Sequence, residues 1–264
     1  LQQMMAKMGK GQYPSINATD IERIECPLPP LDVQKIMVFE FDEINLNVSL
    51  ARIRVADLNE NIESEVAGVY ALNSKRVEIE KIVDSIQYGL NKAMNEGGVG
   101  YKIFRMNEIV QGRMVDNGSM KCADISADEF AKYKLNKGDL LFNRTNSIEH
   151  VGKTGLFNLE GDYCFASYLV RVVPNTNMVL PKFLEKMMNS SVFQAEAKGK
   201  ASKSINQANI NATVMRNIKV PVPDISDQEK FVAKIEALEK QIADAQAVID
   251  GAAARKKAIL QKYL

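Results

Sequence analysis

Five polar residues in a row, Asn143-Arg144-Thr145-Asn146-Ser147, follow directly on the apolar run Leu140-Leu141-Phe142. An arginine, two carboxamides and two hydroxyls are the side chains that pair with base edges and phosphate oxygens. Arg144 carries the planar fork that matches guanine. Asn143 or Asn146 can present the donor and acceptor that adenine needs. The glycine-flanked turn Val151-Gly152-Lys153-Thr154-Gly155 adds Lys153. A second basic loop, Gly199 to Gln207, supplies Lys200, Lys203 and Gln207. Lys102, Arg105 and Arg113 complete the candidate set for contact with a polyanion. Each loop taken alone reads equally well as a solvated turn.

Other chemistries have little to work with. His150 is the only histidine, and Cys26, Cys122 and Cys164 have no metal-ligand or redox spacing. The Gly-Lys-Thr of the 151–155 turn lacks the glycine-rich pattern of a phosphate-binding loop. No Gly-x-Ser-x-Gly elbow exists to build a nucleophile on. The sequence therefore predicts a binding chain rather than an enzyme, with no metal and no cofactor of its own.

Charge points the same way. The formal net charge of the 264 residues is +1, but residues 97–223 carry 17 Lys and Arg against 11 Asp and Glu. A basic middle between acidic flanks favours a polyanionic partner. Aromatics make up 7% and tryptophan is absent, which suits helix seams better than a large sandwich core. There is no signal peptide and no apolar run of membrane-spanning length, so a reduced, cytoplasmic chain without a membrane partner is expected.

The elements that must position these residues are framed by an internal repeat. Residues 15–34 and 209–228 match at eight of twenty positions, 194 residues apart. The matches are Ile16/Ile210, Asn17/Asn211, Ala18/Ala212, Thr19/Thr213, Ile24/Ile218, Pro27/Pro221, Pro29/Pro223 and Gln34/Gln228. Each copy runs into a long apolar periodicity. The first helix is expected to start near Asp32 as N-cap. Its seam is Phe41, Ile44, Val48, Ala51, Val55, Leu58, Ile62, Val69, Leu72, Ile79, Val83, Ile86 and Leu90, interrupted at Glu65 and Arg76. It is expected to end at Asn95-Glu96-Gly97-Gly98, with Gly68 as a candidate bend. The second begins at a capping box, Ser226 to Glu229, and its seam is Phe231, Ile235, Leu238, Ile242, Ala245, Ile249, Ala252 and Ile259. Neither stripe can be buried alone, so the two helices are expected to pack antiparallel.

Between them the pattern is mixed. Strands are expected at Tyr101–Arg105, Leu140–Phe142 and Cys164–Val173, and short helices at Asp128–Tyr133, from Pro181, and at Val192–Lys198. The fold class is α+β: one mixed α/β domain plus two long antiparallel coiled-coil helices. The division is 1–31 as the tail of a preceding domain, 32–96 as a central helix, 97–223 as the mixed domain and 224–264 as a distal helix.

Several segments resemble the specificity subunits of type I restriction–modification systems. They are Lys137 to Asn146, Val151 to Gly155, Ala166 to Arg171 and Ser204 to Ile210. More specific is the Pro-x-Pro…Gln segment opening a long helix, present twice as Cys26–Gln34 and Val220–Gln228. The resemblance implies that residues 97–223 are one complete target recognition domain for double-stranded DNA. It implies conserved helices on both sides and a tail of a first recognition domain at 1–31. It further implies partners: methyltransferase subunits that modify adenine with S-adenosylmethionine, and a translocating restriction subunit. The chain itself lacks an Asn/Asp-Pro-Pro-Tyr/Phe motif, so methylation is expected of the partner; Pro29-Pro30 reads as a turn into the helix. A single recognition domain is expected to mean a fragment, the C-terminal part of a fused methyltransferase–specificity polypeptide, or a half-size version. The half-size version would form a homodimer through the long helices. A coiled-coil assembly protein without a DNA role is the rival reading.

Overall fold

The computed structural model describes residues 16–73, 75–204 and 207–264. In chain order the helices are α1 (Ala18–Glu22), α2 (Leu31–Leu72), α3 (Ala127–Tyr133), α4 (Pro181–Asn189), α5 (Ser191–Gly199), α6 (Ala212–Arg216) and α7 (Ile225–Tyr263). The strands begin with β1 (Arg76–Glu78), β2 (Val83–Tyr88), β3 (Tyr101–Phe104), β4 (Ile109–Val110), β5 (Arg113–Met114), β6 (Cys122–Ala123) and β7 (Leu140–Asn143). They continue with β8 (Thr145–Asn146), β9 (Thr154–Leu156), β10 (Tyr163–Phe165), β11 (Leu169–Pro174), β12 (Ser202–Lys203), β13 (Ala208–Asn209) and β14 (Lys219–Pro221). Two compact units result: one holds the chain up to Ala56 and from Ile242 onward, the other Asp57–Gln241. No helix among the described residues is long and apolar enough to cross a membrane.

The first unit is an antiparallel helix pair. Met37, Ile44 and Ile259 form its buried centre, with Val33, Phe41, Val48, Ala252 and Tyr263 packed around them. Glu40 accepts hydrogen bonds from the Lys262 ammonium at 3.0 Å and the Tyr263 hydroxyl at 2.8 Å. These two donors hold the Glu40 carboxyl below the usual carboxylate range.

In the second unit the same helices continue, with Lys234 donating to Glu65 at 2.6 Å. The buried row on α2 departs from the sequence reading after Ile62: Val66 and Tyr70 turn inward rather than Glu65 and Val69. The expected helix to residue 96 is also corrected, because α2 ends at Leu72. Asn73 folds its side chain back onto the Val69 carbonyl at 2.9 Å. Beyond it the β-branched residues Val77, Ile79, Ile82, Val83 and Ile86 keep an apolar spacing that serves strands as well as a helix. Ile79 and Ile82 are fully buried in the domain core, and β2 pairs antiparallel with β11. Tertiary pairing decides a pattern that periodicity leaves ambiguous.

The domain is built on a six-stranded sheet ordered β2-β11-β7-β9-β5-β4, beside a three-stranded sheet ordered β10-β3-β6. The strand expected over Cys164–Val173 is therefore two strands in two sheets, divided by a turn at Ala166–Tyr168. Phe104, Phe157, Phe165 and Leu141 fill one core cluster, and Ile103, Ala123 and Cys164 centre another. β1 pairs antiparallel with β14, so the two ends of the domain leave side by side.

The two repeat copies share one local construction. The Asn17 side chain caps α1 by accepting from the Asp20 N–H, and the Asn211 side chain caps α6 by accepting from the Val214 N–H, both at 2.8 Å. Gln34 donates to the Pro29 carbonyl at 2.7 Å, and Gln228 to the Pro223 carbonyl at 2.8 Å. Gln228 does more. It is fully buried, donates to Met178 O at 2.9 Å and accepts from the Leu180 N–H at 2.9 Å. It thus pins the start of α4 to the start of α7. The expected capping box at Ser226 is corrected: α7 starts at Ile225, and the Asp224 carbonyl accepts its first backbone bonds. Gln228 faces the domain, not solvent.

A buried ion network makes the second tie. Glu239 on α7 meets Lys182 at 2.8 Å, Lys186 at 2.7 Å and Arg113 at 2.8 Å. Glu185 is fully buried beside Lys182 at 3.3 Å and Lys186 at 3.5 Å. Burial would raise both carboxyls. For Glu185 it does, whereas hydrogen bonds from Lys182 and Lys186 overcome it at Glu239 and lower that group to about 2.

Candidate nucleic-acid interface

β7 is buried at all four positions and delivers the polar run to the edge of the core. Asn143 still belongs to that strand. Its side chain is buried and donates to the His150 carbonyl at 3.1 Å. The structure thus uses Asn143 inside the fold, where it shapes the turn that follows. Arg144 is half-buried. Its guanidinium donates to Ser167 O at 3.2 Å and to the Asn209 side chain at 3.4 Å, and lies 5.0 Å from the centre of the Tyr88 ring. Thr145 is buried and accepts from the Asn209 carboxamide at 3.1 Å. Asn146 accepts from the Ser147 N–H at 2.8 Å.

The two loops that the sequence shows as separate are one construction. β13 pairs antiparallel with β8 and with β12, giving a three-stranded sheet ordered β12-β13-β8. Arg144, Thr145, Asn146, Asn209 and the backbone of Lys203 therefore belong to one small sheet and its edge. Gln207 is exposed beside it, and its carbonyl accepts from the Ser204 N–H at 2.7 Å. The side chain of Lys203 lies outside what is described. Lys200 ends α5 and pairs with Glu196 at 2.6 Å.

The segment 147–153 forms a tight turn on the same edge. The Ser147 carbonyl accepts from His150 N and Val151 N at 3.0 and 2.9 Å. Gly152 adopts φ 91° and donates its N–H to the Asn143 carbonyl at 2.8 Å, while the Asn143 N–H donates to the Lys153 carbonyl at 2.8 Å. Ile148, Glu149, His150 and Lys153 are exposed on it. A hydrogen bond from Ser147 holds the Glu149 carboxyl below its ordinary range. Lys198 reaches the Glu149 carbonyl at 3.1 Å, which brings a further cation to the turn.

Lys102, Arg105 and Arg113 stand in other sheets, and each ends on a carboxylate. Lys102 meets Asp116 at 2.6 Å, Arg105 meets the buried Glu108 at 2.6 Å, and Arg113 meets Glu239 at 2.8 Å. The structure does not bring them to the β8–β13 edge.

Tyr88, Ser167 and Asn209 were missed in the sequence, although they hold Arg144. Tyr88 lay inside an expected helix, and the other two have no local pattern to mark them. Among the described residues no group of three His, Cys, Asp or Glu side chains is placed to hold a metal ion. Burial pushes the Cys164 thiol up to about 12, which leaves it a packing residue.

A family model described as type I restriction modification DNA specificity domain matches residues 87–249. The putative type I restriction enzyme MjaX specificity subunit of Methanocaldococcus jannaschii is 30% identical over 159 residues, 60% of this chain and 37% of that protein. The type I restriction enzyme EcoKI specificity subunit of Escherichia coli K12 is 25% identical over 271 aligned positions, 95% of this chain and 58% of that protein. The chain thus spans between about a third and three fifths of these curated relatives. The fold is shared with solved structures. The HsdS subunit from Thermoanaerobacter tengcongensis superposes with a TM-score of 0.53 at 19% identity, covering 99% of this chain and 66% of that one. The S subunit of a type I restriction-modification system from M. genitalium gives 0.62 at 12% identity, covering 100% and 69%. With more than half its length matched by the family model, the chain belongs to the type I restriction–modification DNA specificity family.

Proposed function

We propose that the chain reads a sequence in double-stranded DNA and places a methyltransferase subunit on it, without catalysing the reaction itself. The observation that carries this reading is the meeting of the polar segment 143–153 with residues 202–204 and 207–209 at one edge of the domain. Asn146, Ser147, Glu149, His150 and Gln207 offer donors and acceptors for base edges there, and Lys153 offers a cation for phosphate. Arg144 positions the edge through Ser167, Asn209 and Tyr88. The partner methyltransferase would supply S-adenosylmethionine and the transfer to adenine, and a restriction subunit would join the same assembly. Both partners are inferred from membership of the family.

Selection from a random duplex library, with and without a methyltransferase subunit, tests the proposal. Enrichment of a defined motif is expected. One short block indicates a single reading domain, and two blocks at fixed spacing indicate two domains acting together. No enrichment in either condition, with the chain shown to be folded, would sink the DNA reading and favour a scaffold.

A further inference from the structure

Residues 97–223 contain five arginines, and four of them have terminal nitrogens already occupied. Arg105 meets Glu108 and Arg113 meets Glu239. Arg144 donates to Ser167 O and to Asn209, and Arg171 donates to Lys134 O. The fifth, Arg216, is the last residue of α6 and is half-buried. Among the described residues it meets no carboxylate and no hydrogen-bond acceptor, and its Nε is buried without a partner. Arg105, Arg144 and Arg171 also bury an unpaired Nε, but each is held elsewhere on the same guanidinium. An arginine that loses water and gains no partner opposes folding, and an anionic ligand would offset that cost. The place of α6 in the fold indicates which anion. Asn209 ends β13, the Ile210 N–H donates to the Arg144 carbonyl at 2.8 Å, and Asn211 caps the helix. The Tyr88 hydroxyl accepts from the Ala212 N–H at 3.0 Å, while the Tyr88 ring lies 5.0 Å from the Arg144 guanidinium. One tyrosine thus fixes the start of α6 to Arg144. Ala212, Met215 and Ile218 are buried and anchor the segment, whereas Thr213 and Asn217 are exposed. Arg216 stands about 6 Å along the helix from Ala212, at roughly 1.5 Å per residue. That advance is roughly two steps of a duplex strand, at about 3.4 Å each.

We propose that Arg216 binds a backbone phosphate of the duplex, just beyond the bases that the β8–β13 edge faces. The planar guanidinium fork suits two oxygens of one phosphodiester. Such a contact carries no sequence information; it fixes the register of the edge along the strand. The plainer role for a cation in a last helical turn is to hold the end of α6. That role needs the guanidinium to reach the final carbonyls, and among the described residues none accepts from it. The two roles predict opposite changes in stability. Methionine at position 216 fills the volume of the arginine stem and leaves no unpaired nitrogen, so it stabilises the chain if Arg216 serves a ligand. It destabilises the chain if Arg216 serves the helix.

The inference rests on the DNA reading, and its test keeps the two apart. Equilibrium binding of the full chain is measured against salt on two probes, a mixed-sequence duplex and the motif enriched from the library, with and without a methyltransferase subunit. Arg216→Met is expected to lower the slope of log affinity against log salt by about 0.9, on both probes alike. Between about 50 and 200 mM salt the variant then loses about 3.5-fold less affinity than the wild type does. Arg216→Lys, which keeps the charge, is expected to retain the wild-type slope. The urea midpoint of Arg216→Met is expected to equal or exceed that of the wild type. An unchanged slope, an effect confined to the enriched motif, or a lowered urea midpoint would each overturn the proposal. So would loss of the methyltransferase subunit with duplex binding unchanged, which would make the missing anion a protein carboxylate. A wild-type chain that binds neither probe in either condition would overturn the DNA reading itself, and this inference with it.

Discussion

Single residues divide into those that hold the β8–β13 edge and those that face outward from it. Lys153 faces outward. Replacing it with alanine is expected to weaken duplex binding evenly across sequences and to lower the slope of log affinity against log salt by about 0.9. The urea midpoint should stay where it is, and a shifted midpoint would show that Lys153 is structural. Gln228 holds. Gln228→Ala strands the Leu180 N–H and the Met178 and Pro223 carbonyls in the interior, and is expected to cost about 3 kcal/mol. Gln34→Ala, which loses one bond at a half-buried site, should cost less than about 1 kcal/mol in the same urea series. Glu239 is a pH-dependent tie. Its folded value, about 2, lies below the ordinary 4.5, so its stabilisation is present above 4.5 and lost as pH falls through 2. Glu185, raised by burial, acts in the opposite sense and partly offsets it. Glu239→Gln should flatten the stability profile between those values, which urea midpoints at stepped pH would reveal. At this scale the sequence was read unevenly. The residue types in 143–147 marked the edge, but composition does not say that Asn143 and Thr145 point inward. Nor does it say that Lys102, Arg105 and Arg113 are spent on Asp116, Glu108 and Glu239.

Elements were more legible where local signals are strong. Pro181 at the first turn and the alternation at Tyr101–Arg105 each found the expected element. The reading failed where one apolar spacing serves two structures. Residues 76–90 continue the heptad count of α2, yet Asn73 ends the helix and β1 finds a partner in β14, more than 140 residues away. Cys164–Val173 is mostly apolar, and only the turn at Ala166–Tyr168, which carries the backbone bond to Arg144, divides it. Gly112 exposes another non-local dependence. It has φ 74°, and a Cβ there would overlap the Glu185 carboxylate. Gly112→Ala is expected to destabilise the domain by about 2 kcal/mol or more, since it strains the backbone and displaces a buried ion. A thermal midpoint equal to that of the wild type would remove the ion network from the account of how α4 and β5 meet α7.

For the molecule as a whole, the internal repeat was the most informative signal, because it reports a construction used twice rather than a propensity. Asn17 and Asn211, Gln34 and Gln228 occupy matching places in that construction. What the repeat could not reveal was the neck of the domain. β1 and β14 run antiparallel in the register Arg76 to Pro221, Val77 to Val220 and Glu78 to Lys219, and the Ile79 N–H donates to Ile218 O at 3.0 Å. The chain therefore enters and leaves the domain at nearly one point, as a loop closed at its base. Seen from the helices, everything between Arg76 and Pro221 is an insertion closed at its base and tied to α7 through Gln228 and Glu239. Under the DNA reading proposed above, a new target would come with a new cassette joined at these two short strands, and both long helices would be inherited unaltered.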